Sequence, residues 1–125
     1  MRVDVDVDGA ALVAAGLQRA SFTLPLKAHK ITEVACAKIQ QGARSRVSGL
    51  AHAPHYPRSI TYDVSLQGTS IVGEVGPDKD LTQGALGNLI EYGSVNNPPN
   101  AHLAPELDTE TPIWMALLGA AAGDV

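Results

Sequence analysis

The chain has 125 residues, a formal net charge of −4 and a sequence pI near 5.4, and 45% of its residues are hydrophobic but only 4% aromatic. That length suits a single domain covering residues 1–125, and the acidic balance speaks against a free-standing nucleic-acid binder, which carries a basic excess. Cys36 is the lone cysteine, which excludes an intramolecular disulfide and a thiolate metal cluster and suits a reducing cytoplasm. The start Met1-Arg2-Val3-Asp4 has no apolar stretch and no segment approaches the ~20 apolar residues of a bilayer span, so neither secretion nor a membrane is expected.

In chain order, Val3, Val5 and Val7 alternate with Asp4, Asp6 and Asp8, a period of two that predicts a first strand with valine on one face. Asp8 can then cap a short alanine-rich helix over about residues 9–19. From about Leu24 to Val47, the residues Leu24, Ala28, Ile31, Ala35 and Ile39 form the apolar stripe of a longer helix, with Lys27, Lys30, Lys38, Gln41 and Arg44 on the other side. Pro25 is tolerated because a helix's first turn makes no internal use of its N–H. Residues 49–57 hold a glycine and two prolines and read as a loop, a mobile or interface segment.

Ile60, Tyr62, Val64 and Leu66 alternate with polar residues, and a Gln67-Gly68 turn leads to a second run through Ile71, Val72 and Val75, which together predict a hairpin stopped by Gly76-Pro77. Asp78-Lys79-Asp80 reads as a surface turn. Gln83–Tyr92 reads as a short helix closed by Gly93, and residues 94–104, with Asn96-Asn97-Pro98-Pro99-Asn100, read as an extended connector. A last helix over about 105–122 is started or kinked by Pro112. The expected fold class is α+β: a small antiparallel sheet, made of the N-terminal strand and the hairpin, packed by a long helix, with short and C-terminal helices.

The charges are unevenly spread. Residues 19–58 hold seven basic side chains against Glu33 alone, whereas residues 59–125 hold nine acidic ones against Lys79. Such a split suits a chain that packs against copies of itself, basic part to acidic part. Catalytic and metal readings fare worse. Asp4-x-Asp6-x-Asp8-Gly9 copies the opening of a calcium loop, but Ala15 stands where the bidentate glutamate belongs. His52, His55 and His102 lack any helical ligand spacing and read as polar surface beside prolines, and Cys36 reads as a packed small residue. The sequence has no nucleophile elbow, phosphate-binding loop or dinucleotide fingerprint. Gly84-Ala85-Leu86-Gly87 echoes a G-x-x-G loop without basic flanks. No enzyme activity, cofactor or metal is expected.

The run from Val75 to Pro99, with V-G-P at a strand end, then G-A-L-G-x-L-x-E-Y-G and an N-x-P element, resembles the neck or tail-completion proteins of long-tailed double-stranded DNA phages and prophages. Ala101–Asp108 continues the likeness, since the family commonly has a His-x-x-x-Pro-Ala-Leu-Asp type run before its last helix, and in one departure Ala104 stands where many relatives carry a basic residue; Pro57-Arg58-Ser59-Ile60 matches the hairpin entry. The first 50 residues agree in layout only. The resemblance implies a structural virion protein of the head-to-tail junction, assembled in the bacterial host cytoplasm. It implies a homo-oligomeric, hexameric ring around a channel through which DNA passes without specific binding, with other neck proteins, the tail terminator and the tail tube as partners. The alternative within the same setting is the tail-terminator ring that caps the tail tube. The expected subunit contacts join Lys27, Lys30, Lys38 and Arg44 of one copy to Glu74, Asp78, Asp80 and Glu91 of the next, with Tyr92, Asn97 and His102 also at the interface. For Tyr92 and Gly93 a second reading stands beside this one, in which the tyrosine covers the core and the glycine ends a helix.

Overall fold

The computed structural model describes residues 3–8, 23–68 and 70–123. The expected alanine-rich helix at 9–19 lies outside the described residues. The elements are β1 (Val3–Asp8), α1 (Thr23–Arg46), a 3-10 turn (Tyr56–Ser59), β2 (Ile60–Gln67), β3 (Ser70–Pro77), a second 3-10 turn (Gly84–Leu86), α2 (Gly87–Tyr92) and α3 (Ala104–Gly123).

The hairpin and first strand form one antiparallel sheet in the order β1-β3-β2. Register follows from the alternation: Ile60, Tyr62, Val64 and Leu66 stand opposite Pro77, Val75, Gly73 and Ile71, while Val3, Val5 and Val7 stand opposite Val75, Gly73 and Ile71. A one-residue slip would turn this apolar set outward. Gly68, at φ +64, supplies the left-handed residue of the hairpin turn. The sheet is an α+β sheet with its helices on one face. Helix α1 packs on β2 and β3, α3 packs along α1 and reaches β1, and Trp114 and Leu118 of α3 share one buried cluster with Ile71 and Val75.

Residues Ala28, Ala35, Cys36, Ile39, Ala43 and Val47 form the buried stripe of α1. The small members let α3 come close, and the two helices are stitched by a buried polar relay. The Trp114 indole N–H donates to Thr32 Oγ1 at 2.9 Å, and the threonine hydroxyl donates in turn to Ala28 O at 2.8 Å. At the far end Arg46 Nε meets Glu106 Oε1 at 2.8 Å. A second anchor fixes α1 to the sheet: Gln40 Nε2 and Arg44 Nη2 both donate to Ile60 O, at 2.9 and 2.8 Å.

Three sequence expectations change in detail. Pro112 does not start the last helix, which begins at Ala104 and carries the proline inside it; Thr111 Oγ1 donates to Leu107 O at 2.7 Å just before it. The short helix divides into the 3-10 turn Gly84–Leu86 and α2. The connector is not extended throughout: Ser94 and Asn97 form a bridge, with Ser94 N–H donating to Asn97 O at 2.9 Å. Among the described residues no helix is long and apolar enough to cross a membrane.

Two outcomes follow from the core. Thr32→Val removes the acceptor of a fully buried indole N–H and is expected to cost about 1–3 kcal/mol in chemical denaturation, with the effect largely absent in a Trp114→Phe background. Burial first, and the charge of Asp63 second, push the Cys36 thiol from 9.0 up to about 11. A raised folded-state pKa gives stability that is whole below the unfolded value and lost as pH rises, so unfolding free energy should fall between about pH 9 and 11, and Cys36→Ala should flatten that decline.

Candidate interaction surface

The short elements between β3 and α3 are held by a buried cluster of Tyr56, Glu91 and His102, which are 0%, 3% and 0% exposed. Tyr56 stands in the 3-10 turn that leads into β2, Glu91 in the last turn of α2, and His102 two residues before α3. The Tyr56 hydroxyl and His102 Nε2 are 2.7 Å apart, with the rings edge to face at 5.3 Å and 83°. His102 Nδ1 lies 2.9 Å from Asn100 O and 3.1 Å from Glu91 Oε1. The same carboxylate oxygen accepts the backbone N–H groups of His102 and Leu103, at 3.1 and 2.9 Å.

A tautomer with the proton on Nδ1 satisfies every member: Nδ1–H donates to Asn100 O and Glu91, and Nε2 accepts from the phenol. Burial, and then the charge of Glu91, push the Tyr56 phenol well above its ordinary value, which keeps it a donor. The Glu91 carboxylate also sits at the N-terminal end of the 20-residue helix α3, where free N–H groups and the helix dipole favour negative charge. Types that suggest proton relay in an active site are here sealed in the interior, and they work as a clasp on the connector.

The glycines of the G-A-L-G run make the clasp possible by close approach. A Cβ at Gly84 would strike Asp78 O, and one at Gly87 would strike the Pro77 ring and lie 3.2 Å from the Tyr56 hydroxyl. Gly93 ends α2 at φ +81, its N–H donating to Leu89 O at 2.9 Å, and Asn100 N–H donates back to Ile90 O at 2.8 Å. Gln83 takes a left-handed φ of 64, held by His55 N–H donating to its Oε1.

Clasped in this way, the connector and the 50–53 loop form the walls of a groove of about 590 Å³, lined by Leu50, Ala53, Leu86, Leu89, Ile90 and Pro99 among others. Leu89 of its lining is 54% exposed, and Tyr92 and Val95, close by in the chain, are 69% and 100% exposed. Large apolar side chains left exposed on one short stretch of chain suit an interaction site. Among the described residues no group of three or more His, Cys, Asp or Glu side chains is placed to hold a metal ion.

Most of the expected interface residues do not converge. Lys27, Lys30 and Lys38 are exposed on the outer side of α1. Arg44 is half-buried, committed to Ile60 O, and its Nε is buried without a partner. Glu74 is half-buried on β3, and Asp78 Oδ1 accepts from the Asp80 N–H in a surface turn. Two expectations are overturned: Glu91 and His102 are interior, their polar atoms used within the chain, so neither can meet a neighbouring copy. His102 also departs from the expected surface role of the histidines, whereas His52 and His55 are exposed. Asn97 lines the groove and is exposed, and Tyr92 is exposed as well, so Tyr92 does not cover the core. Tyr56 was missed altogether. It lies in a proline-flanked segment that reads as a surface loop, and no local signal pairs it with a histidine 46 positions away.

No family model, curated protein or solved structure matches this chain.

Tyr56→Phe leaves His102 Nε2 without its buried partner and should cost about 1–3 kcal/mol in denaturant unfolding. Amide hydrogen exchange should then accelerate at Asn100, His102 and Leu103 before it does so in the α1 core; unchanged exchange there would contradict the clasp.

Proposed function

We propose that the chain is a structural subunit of the head-to-tail junction of a long-tailed double-stranded DNA phage, a neck or tail-completion protein. In this reading copies close a ring around the DNA passage and join the capsid connector to the tail, with other neck proteins, the tail terminator and the tail tube as partners. The role is one of assembly, without catalysis, cofactor or metal.

The observation that carries the reading is the use to which the family-like run is put. Gly84, Gly87, Glu91, Gly93 and His102, which carry the resemblance, are all joints of one piece of structure, the clasp and its groove. Such a pattern fits a family held together by a shared architecture and not by a shared reaction. The exposed apolar side chains of Leu89, Tyr92 and Val95 support a partner-binding role, since a lone subunit leaves them in water. A net charge of −4 supports a channel that DNA traverses without sticking, because like charge repels phosphate.

Deletion of the gene from the phage that encodes it should leave DNA-filled heads and complete tails that do not join, and adding the purified protein to such extracts should restore joined particles. Over-long tails would assign the chain to the terminator cap. Normal, infectious particles lacking the protein would end both readings.

A further inference from the structure

Helix α3 changes character halfway along. Residues 104–111 carry Glu106, Asp108, Thr109 and Glu110, as a wet helix surface does. Residues 112–123 carry no charged side chain, and the polar group of Trp114, its indole N–H, is spent inside on Thr32. One side of this half is buried through Trp114, Leu118, Ala121 and Ala122. The other side is apolar too and stands open: Ile113, Met115 and Leu117 are 44%, 57% and 46% exposed, and Ala116 and Ala120 are exposed with them. A helix apolar on every side is ordinarily enclosed. Ile113, Ala116, Leu117 and Ala120 follow the i, i+3, i+4, i+7 spacing with which a helix fills an apolar groove.

The groove beside the connector has the matching character. Leu50, Leu86, Leu89, Ile90 and Pro99 give it an apolar wall, and no Asp, Glu, Lys or Arg is among its lining residues. It lies toward the other end of the helix pair. Its walls at 50–53 and 98–100 follow the end of α1 and precede the start of α3, the end at which Arg46 meets Glu106. At the opposite end Leu24, beside the start of α1, is buried with Ala121 of α3. The chain's own α3 cannot turn its second half back into this groove: Ile113 stands nine residues past Ala104, about 14 Å along the helix axis.

We infer that the exposed apolar half of α3 in one copy seats in the groove of the next copy. This rests on the ring-forming reading above and names the surfaces that would close the ring. Each copy offers one helix and one groove on different parts of its surface, so the contact is heterologous and repeats in one direction until the rotation between copies closes it. A second copy is the occupant for two reasons. Both surfaces belong to one chain, yet its own helix cannot reach its own groove. Copies of net charge −4 also repel one another, and these two surfaces are free of Asp, Glu, Lys and Arg, which is the composition of an interface core. Met115 adds an adaptable side chain of a type enriched at such contacts.

The test uses full-length Leu117→Glu and Leu89→Glu, changes at two half-exposed positions, each checked for fold by circular dichroism. Ile113→Ser and Leu89→Ser, milder changes on the same surfaces, take their place if a glutamate unfolds the chain. In sedimentation equilibrium each variant alone should associate at least about tenfold more weakly than the unaltered chain. Mixed in equal amounts they should form a one-to-one pair and nothing larger, because Leu117→Glu keeps its groove and Leu89→Glu keeps its helix. Association of the unaltered chain should persist from about 50 to 500 mM salt, since salt does not screen apolar contacts. If both variants assemble like the unaltered chain, if the mixture is no better than either alone, or if high salt dissolves the contact, the surfaces are wrong while the ring reading survives. Loss of association in only one variant would set that surface against some other one, a second α3 included, and overturn the inference. A less stable fold with association intact in Leu117→Glu would mean that the chain covers this face itself, and overturns it as well. An unaltered chain that is monomeric throughout removes both this contact and the ring reading.

Discussion

Burial of the Glu91 carboxylate constrains more of this molecule than any other single group. A charge taken out of water must be met by hydrogen-bond donors, and removing them costs several kcal/mol. Glu91 finds the N–H groups of His102 and Leu103 and the ring of His102, and in doing so it fixes where α3 begins. From that start the helix runs so that Trp114 reaches Thr32 across the helix pair, and Arg46 reaches Glu106. The same carboxylate pins the end of the connector, so the groove wall at Pro98–Asn100 depends on it as well.

This construction separates two kinds of surface. The interior polar groups are spent on internal joints: Tyr56 on His102, Thr32 on Trp114, Gln40 and Arg44 on Ile60 O. What remains outside, among the described residues, includes the exposed apolar side chains of Leu89, Tyr92 and Val95 and the lysines of α1, both contact chemistry. Among the described residues, Tyr56, Glu91 and His102 do not line the groove, which suits the proposed assembly role.

Much of the fold was legible because it rests on periodicity. The 3.6-residue stripe of α1 and the two-residue alternation of β1 and the hairpin marked element type and fold class, and Gly93 marked a helix end that the structure gives a left-handed backbone. The surface was harder to read. Charge sign can be read from a chain, but whether a carboxylate faces solvent or a helix N-terminus depends on contacts far apart in sequence. Glu91 and His102 looked like interface residues because their types are polar, and they proved interior because Tyr56 and the start of α3 converge on them. Arg44 fell on the polar side of its helix by pattern, yet the first residue of β2, Ile60, lies close enough to claim its guanidinium. Of the two roles expected of Pro112, helix start and kink, the first is excluded because α3 begins at Ala104 and carries Pro105 in its first turn.

The central proposal is that the chain works by closing a ring with copies of itself. Native mass spectrometry of the purified full chain across a range of concentrations tests this most directly. The account requires one discrete closed oligomer at a fixed multiple of 13.0 kDa. A monomer at every concentration, a dimer that never grows, or an unbroken ladder of open chains would contradict it.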